Sequence, residues 1–265
     1  MLRTGASCVG LVVLAACGGS PDRAPVETPT TMSAPTEPLR VLVTGFNDWK
    51  GLGDPPNVWR CRDNPSCRLL VGDPRTDAPT AFEGSLPAAL SRASRERPIA
   101  WTFETLPVTW EVARGLPGYA NHDVVVHLGL GVYDRTDEIF VEAGAYNLRK
   151  GADAAGNPMQ GPILTDGEGD VVPAPAGTDI AARVEAVNGG TFGAFTARVK
   201  PARKDNSYLC NETHTWALEA VKSSQASGGS LRGAYFVHIP YAPNGDFEAL
   251  AEGVAGVVLA LAAEP

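Results

Sequence analysis

Residues 39–46 read LRVLVTGF, a continuous apolar run rich in β-branched side chains, which is typical of a strand buried on both faces of a sheet. Two later segments have the same character, DVVVHLGL at 123–130 and GAYFVHIP at 233–240. Weaker strand patterns occupy 99–108, 138–147 and 194–199. The run at 39–46 predicts a sheet that helices cover on both sides, because continuous apolar strands occur mainly in such sheets.

Helical patterns fall between the predicted strands, at 86–95, 178–188, 208–223 and 246–262. The second of them places Ile180, Val184 and Val187 on one face and ends at Gly189. Strands that alternate with helices predict an α/β fold, a three-layer α/β/α sandwich with a largely parallel open sheet. Residues 151–177 are rich in Gly, Pro and Asp and predict a long loop, which in such folds often covers an active site.

The first residues, MLRTGASCVGLVVLAAC, predict a signal peptide over 1–16, with Arg3 ahead of an apolar run that small residues close. Leu14-Ala15-Ala16-Cys17 resembles the bacterial lipobox, and this resemblance implies cleavage before Cys17 and lipidation of its sulfur. The alternative is a plain signal peptide in which Cys17 is incidental. With Gly18 next, the lipobox reading implies a lipid-anchored protein of the cell envelope, in the outer membrane or facing the periplasm.

Residues 17–38 join this anchor to the rest of the chain and are dense in Pro, Thr and Ser, which predicts a disordered tether. Residues 39–265 then form the predicted catalytic domain. After the N-terminus no apolar run approaches the roughly 18 residues of a spanning helix, so membrane contact is expected through the lipid anchor only. The net charge is −8 and no basic run occurs, which disfavours nucleic acid as a partner.

The sequence has five cysteines. Cys8 leaves with the signal peptide and Cys17 carries the lipid. An exported protein meets an oxidising compartment, so Cys61 and Cys67, close together in a turn-rich stretch, are expected to form a disulfide. Cys210 is then left unpaired, and an unpaired thiol in an exported protein needs either burial or chemistry to explain it.

Cys210 lies in KDNSYLCNETHTW, where Ser207 is a credible N-cap and the helical spacing puts Cys210 in the first turn. The helix dipole there stabilises a thiolate and is expected to lower the thiol pKa. Exposed N–H groups of the same turn could hold an oxyanion. The alternative is a small buried core residue, a common position for a single cysteine.

A thiol nucleophile needs a base and a group that orients the base. His238 ends a buried strand just before Pro240, although a core histidine would fit the same pattern. His214, one turn after Cys210, is a local competitor that is better interpreted as a surface residue. Glu142 interrupts the apolar run IFVEAGAYN, and a carboxylate there is costly unless it is paired, or unless that face of the strand meets solvent.

Several segments together resemble pyroglutamyl peptidase I, a family of cysteine peptidases. The resemblance spans roughly 39–262 and rests on these matches: VLVTGF at 41–46, Asn64-Pro65-Ser66, SYLCN at 207–211, FVHIP at 236–240, and Glu142 in VEAGAYN. The order Glu142, Cys210, His238 is the order of the catalytic residues in that family. The resemblance therefore implies a Cys-His-Glu triad and a thioester acyl-enzyme, acting on peptides with N-terminal pyroglutamate.

The resemblance also implies an apolar pocket for the lactam ring, with Phe46 and Tyr208 at the ring-flanking positions and Trp49 and Leu209 beside them. It implies no metal and no cofactor. The chain departs from the family pattern at Leu130, where the family has Gln, and at Asp205-Asn206, where it has Ala-Gly. Two alternatives stay open: a related cysteine amidohydrolase that acts on another cyclic or acylated N-terminus, and a non-catalytic lipoprotein that binds peptides.

Overall fold

The structure, a computed structural model, describes residues 37–50, 58–72, 84–92, 98–132 and 134–262. These residues belong to a compact unit that begins at Thr36. The predicted signal peptide, Cys17 and nearly all of the tether lie outside the described residues, so they stay predictions. None of the helices within the described ranges has the length and apolar character needed to cross a membrane.

Within the described residues the main sheet has seven strands, which lie in the order β11 (Thr191–Phe192), β12 (Phe195–Lys200), β6 (Glu138–Glu142), β13 (Gly233–Pro240), β5 (Val124–Val132), β1 (Leu39–Phe46) and β4 (Ile99–Leu106). β4, β1, β5 and β13 are mutually parallel, whereas β6 is antiparallel to β13 and parallel to β12. This arrangement confirms the largely parallel open sheet.

In the part of the chain that the structure describes, three short two-stranded sheets lie outside the main sheet. They pair β2 (Trp49–Lys50) with β3 (Val58–Trp59), β7 (Gly144–Tyr146) with β10 (Val171–Pro173), and β8 (Arg149–Ala152) with β9 (Pro158–Gly161). The strand predicted over 138–147 therefore divides between β6 and β7. Gly144 permits the division, because a Cβ there would lie 2.8 Å from the carbonyl oxygen of Val172 in the new partner strand. The predicted long loop contains β9, β10 and the end of β8.

The helices are α1 (Pro65–Val71), α2 (Ser85–Arg92), α3 (Gly118–Asn121), α4 (Ile180–Val187), α5 (Leu209–Ser227) and α6 (Phe247–Ala262), and a 3₁₀ turn covers Pro243–Gly245. α1, α2, α4 and α6 pack on one another, while α3 packs on α5, and both groups contact the sheet. The two groups form the outer layers of a three-layer α/β/α sandwich, as the alternation of strands and helices predicts.

The central strands explain why the apolar runs are continuous. Every residue of β13 is buried, and in β1 only Arg40 is exposed. A strand covered by helices on both faces must be apolar at both odd and even positions. Each fully buried Val or Leu stabilises the fold by roughly 1.5–3 kcal/mol relative to an exposed one, so β1, β5 and β13 form the rigid base on which the candidate site is built.

Candidate active site

The candidate site lies where the carboxyl ends of β5 and β13 meet the start of α5. In the parallel pairing of the two strands, His238 is opposite Gly129. A Cβ at Gly129 would lie 3.0 Å from the Cys210 sulfur, and a Cβ at Gly131 would lie 1.9 Å from His238 Nδ1. These glycines let the nucleophile candidate and the base candidate lie directly against the end of β5.

Glu142 forms a short contact with the imidazole of His238. The antiparallel pairing of β6 with β13 brings the two strands together, and Glu142 Oε1 lies 2.5 Å from His238 Nε2. Both side chains are buried, with 2% of Glu142 and 3% of His238 exposed. Glu142 therefore faces the protein interior and not solvent. When Nε2 donates to the carboxylate, Nδ1 is left as a proton acceptor, and no described residue forms a hydrogen bond with it.

Two further groups contact the same carboxylate oxygen, and sequence reasoning did not assign either of them a role. Asn206 Nδ2 donates to Glu142 Oε1 over 2.9 Å, and Lys200 Nζ lies 3.8 Å from that oxygen. The other oxygen, Oε2, is buried without a hydrogen-bond partner in the described part of the chain. The one feature of the sequence that could have drawn attention to Asn206 is the pair Asp205-Asn206, where this chain departs from the pattern of the family it resembles.

Cys210 is the second residue of α5 and is the free cysteine among the described residues. The N-cap of α5 is Tyr208 in extended conformation, with no side-chain capping hydrogen bond. The expectation of Ser207 as the N-cap is wrong, because the Ser207 carbonyl instead accepts from the backbone N–H of Lys150. Since no side chain caps the helix, its first N–H groups remain available to a ligand that carries negative charge.

The Cys210 thiol is a weaker acid than the helix position predicts. Burial, and to a smaller extent the negative charge of Glu142, raises its pKa to about 12, whereas the positive charge of Lys200 acts in the opposite direction. The expected lowering of the pKa by the helix dipole is therefore wrong for the resting protein, since removal of the thiolate from water outweighs the dipole. The sulfur is protonated at neutral pH, and it needs a base to become a nucleophile.

This pKa gives a prediction for alkylation. The second-order rate of Cys210 modification by iodoacetamide is expected to rise with pH up to at least pH 10 without a plateau, because the thiolate fraction grows until pH reaches the pKa. Mass spectrometry of the peptide that contains Cys210 gives the rate. A rate that levels off near pH 7 would show a preformed thiolate, and the burial argument would then be wrong.

His214 is buried, with 2% of its surface exposed, so the expectation of a surface histidine is wrong. Residues 211–215 of α5 are all buried, because this part of the helix packs on the sheet and on β7. Burial lowers the His214 pKa to about 4, which leaves its ring neutral. His214 contacts the ring of Phe236 from within the core, at a centroid distance of 6.2 Å.

A cavity of about 520 Å³ opens beside these groups, and Cys210 and His238 line it. The four residues predicted for the pocket, Phe46, Trp49, Tyr208 and Leu209, line it as well. The lining residues that sequence reasoning left without a role in the pocket include Val108, Lys200, Asn206 and Tyr241. The cavity is thus an apolar space with the candidate nucleophile and base in its wall.

One wall of the cavity is a fixed aromatic group. Trp49 Nε1 donates to Tyr208 Oη over 3.2 Å, and Tyr208 Oη donates to the carbonyl of Ala152 over 2.7 Å. Trp110 packs edge-on against Tyr208, with ring centroids 5.5 Å apart. These contacts fix the Tyr208 ring, and aromatic faces suit a flat neutral ligand.

Phe46 also lines the cavity, and its backbone is held by the Asn64-Pro65-Ser66 segment. Asn64 Nδ2 donates to the carbonyls of Phe46 and Asn47 over 2.8 and 3.0 Å, and the Ser66 hydroxyl donates to the Phe46 carbonyl over 3.3 Å. A disulfide joins Cys61 to Cys67, on either side of this segment. The segment therefore fixes the end of β1, where the cavity begins.

Asn211, next to Cys210, fixes the start of α5. Its Oδ1 accepts from the N–H of Tyr146 over 2.7 Å, and its Nδ2 donates to the carbonyls of Tyr146 and Leu148 over 2.7 and 3.0 Å. Both N–H donors and the oxygen of this amide therefore connect the helix to β7 and the residues after it. These hydrogen bonds explain why an asparagine follows Cys210, since they fix the helical turn that carries the cysteine.

Known structures share this fold. No family model matches the chain, and no curated protein matches it at the sequence level. Among solved structures, pyroglutamyl peptidase I from Bacillus amyloliquefaciens is similar, with a TM-score of 0.55 and 20% identity over 85% of this chain and 98% of that one. A mutant pyrrolidone carboxyl peptidase from Pyrococcus furiosus gives a TM-score of 0.53 and 19% identity, covering 84% of this chain and 98% of that one.

The pyrrolidone carboxyl peptidase from Thermococcus litoralis is similar to the same extent, with a TM-score of 0.51 and 19% identity over 84% of this chain and 93% of that one. In all three comparisons nearly the whole of the known chain is matched. The protein therefore has the fold of these peptidases.

Proposed function

We propose that this protein is a cysteine peptidase that removes N-terminal pyroglutamate from peptides. The observation that carries the proposal is the contact of His238 with Glu142 at 2.5 Å, in the wall of the cavity that Cys210 also lines. The shared fold with pyroglutamyl peptidases supports it. Glu142, Cys210 and His238 are the proposed catalytic residues.

In the proposed reaction the lactam ring occupies the apolar cavity between Phe46 and Tyr208. The Cys210 sulfur attacks the pyroglutamyl carbonyl carbon, and His238 Nδ1 takes the thiol proton as the S–C bond forms. Glu142 stabilises the imidazolium that results. Backbone N–H groups of the first turn of α5 donate to the carbonyl oxygen as it becomes an oxyanion.

The tetrahedral intermediate then loses the peptide amine. The C–N bond breaks, His238 gives its proton to the leaving nitrogen, and a thioester joins the pyroglutamyl group to Cys210. Water attacks this thioester with His238 as base, the C–S bond breaks, and the proton returns to the sulfur. The products are pyroglutamate and a peptide shortened by one residue.

The direct test is hydrolysis of pyroglutamyl-aminomethylcoumarin by the purified domain, followed by fluorescence. Prolyl- and N-acetylalanyl-aminomethylcoumarin serve as controls, because Leu130 lines the cavity in place of a family glutamine and bears on which N-terminal group fits. Cleavage confined to the pyroglutamyl substrate supports the proposal. Cleavage of a control substrate alone would favour the related amidohydrolase. No turnover of any substrate, together with a Cys210 that a pyroglutamyl chloromethyl ketone leaves unmodified, would favour the peptide-binding lipoprotein.

We also propose that the protein is anchored in the cell envelope by lipid on Cys17, with residues 17–38 as the tether. The support is the lipobox-like Leu14-Ala15-Ala16-Cys17 that ends an apolar run. A lipid chain contributes about 0.8 kcal/mol for each buried CH₂, so several chains hold a protein durably.

Cys17→Ala is therefore expected to move the protein from the membrane fraction to the soluble fraction without loss of hydrolysis. Immunoblots of membranes washed in high salt measure the distribution. If the variant still sediments with the washed membranes, the anchor lies elsewhere.

A further inference from the structure

Lys200 is distinctive among the residues that line the cavity. It is the last residue of β12, opposite Glu142 of β6 in the sheet. Within the described lining it is the one lysine or arginine, and no aspartate or glutamate accompanies it. Its side chain is 32% exposed, so the ammonium is accessible from the cavity.

Glu142 does not fully satisfy this ammonium. The distance from Lys200 Nζ to Glu142 Oε1 is 3.8 Å, which is longer than a hydrogen bond, and that oxygen already accepts from His238 and Asn206. Nζ has no hydrogen bond to any residue in the described part of the chain, although an ammonium has three donors. The Glu142 side chain is only 1% exposed, so a ligand in the cavity meets the lysine and not the carboxylate.

Lys200 also lies within electrostatic reach of the sulfur that would attack the substrate, since its charge acts against the burial that raises the Cys210 pKa. The pyroglutamyl ring is neutral and suits the aromatic wall formed by Trp49 and Tyr208. An anionic group that reaches Lys200 must therefore belong to the other side of the scissile bond. The nearest carboxylates there are the side chain of an acidic second residue and the free carboxylate of a dipeptide.

We propose that Lys200 is a specificity-determining residue that selects pyroglutamyl substrates with a carboxylate directly after the scissile bond. This inference rests on the proposed pyroglutamyl peptidase function and goes beyond it by defining the leaving group. The carboxylate accepts a charge-assisted hydrogen bond from Nζ in the partly enclosed cavity, where such bonds are stronger than in water. A substrate with a neutral residue in that place leaves the ammonium without this partner.

The test compares kcat/KM for three peptides: pyroglutamyl-glutamyl-alanine amide, pyroglutamyl-glutaminyl-alanine amide and the dipeptide pyroglutamyl-glutamine with a free carboxylate. Chromatography of released pyroglutamate gives the rates. We expect the wild-type protein to prefer at least one carboxylate-bearing peptide over the neutral amide by about tenfold, as a charge-assisted hydrogen bond provides. Whichever is preferred, the acidic side chain or the free terminus, identifies the source of the carboxylate.

The variants separate recognition of substrate from support of Glu142. Lys200→Met should abolish the preference, Lys200→Arg should keep most of it, and Lys222→Met, which removes an exposed lysine of α5 paired with Glu219, should keep all of it. If Lys200→Met lowers kcat/KM equally for all three peptides, Lys200 supports Glu142 and the inference is overturned. Equal wild-type rates on the three peptides overturn the inference but leave the proposed function intact, whereas no cleavage of any peptide overturns both.

Discussion

Cys210→Ala is expected to reduce hydrolysis of the pyroglutamyl substrate by a factor on the order of 10⁴ or more, because it removes the atom that forms the thioester. Cys210→Ser should be nearly as severe, since a hydroxyl in the same place is ionised far less than a thiol. His238→Ala should reduce the rate of hydrolysis by about 10²–10⁴-fold, which is the usual effect of losing a general acid-base. The reason is that His238, whose Nδ1 is the proposed proton acceptor, lines the same cavity as Cys210.

Glu142→Gln is expected to have a smaller effect than either. Oε1 of Glu142 accepts from His238 and Asn206, whereas Oε2 has no hydrogen-bond partner among the described residues. A glutamine can keep its carbonyl oxygen at the first position and place its amide nitrogen at the second, which preserves the orientation of the imidazole but removes the charge that stabilises its cation. Residues that act as a unit are not additive, so Glu142→Gln/Cys210→Ala should be no worse than Cys210→Ala alone.

Steady-state rates measured on folded variants decide this series, with circular dichroism as the check on folding. His214→Gln is the matched control, because His214 is also a buried histidine and lies one helical turn after Cys210. This variant should have a lower melting temperature than the wild type but a turnover number close to that of the wild type. A folded His238→Ala variant with normal turnover beside an inactive His214→Gln variant would transfer the role of base to His214.

Sequence patterns were sufficient for the architecture because the relevant signals are local. β1, β5 and β13 are continuous apolar runs, and the helices between them show amphipathic spacing or apolar character along their length. Such patterns depend only on which side chains must leave water, and they predict the three layers without knowledge of strand order.

The contacts around Glu142 could not be predicted in the same way, because they depend on which strands become neighbours. Lys200 and Asn206 meet Glu142 only because β12 pairs with β6 and the loop after β12 returns across its end. The burial of His214 and the high pKa of Cys210 depend equally on how deeply α5 docks on the sheet. Position in a helix fixes the direction of its dipole, but the extent of burial is a property of the whole fold.

Gly131→Ala is expected to reduce turnover by about 100-fold or more while the fold is retained. A Cβ at residue 131 would lie 1.9 Å from His238 Nδ1 and 2.6 Å from its Cγ, so the imidazole must move. Its other nitrogen is held by Glu142 at 2.5 Å, and the ring cannot shift without loss of that contact. A displacement of about 1 Å in a catalytic group is enough for a loss of this size.

Gly228→Ala provides the control that separates stability from geometry. Gly228 caps the C-terminus of α5 in the left-handed region at φ 71°, and a Cβ there would meet nothing within 4 Å. Its substitution should cost about 1–2 kcal/mol of stability through backbone strain and leave turnover unchanged. Thermal melting and kcat measured on both variants give the comparison. If Gly131→Ala has the melting temperature and the kcat of the wild type, the imidazole can move without loss of function. In that case the close approach of β5 to His238 does not position the base.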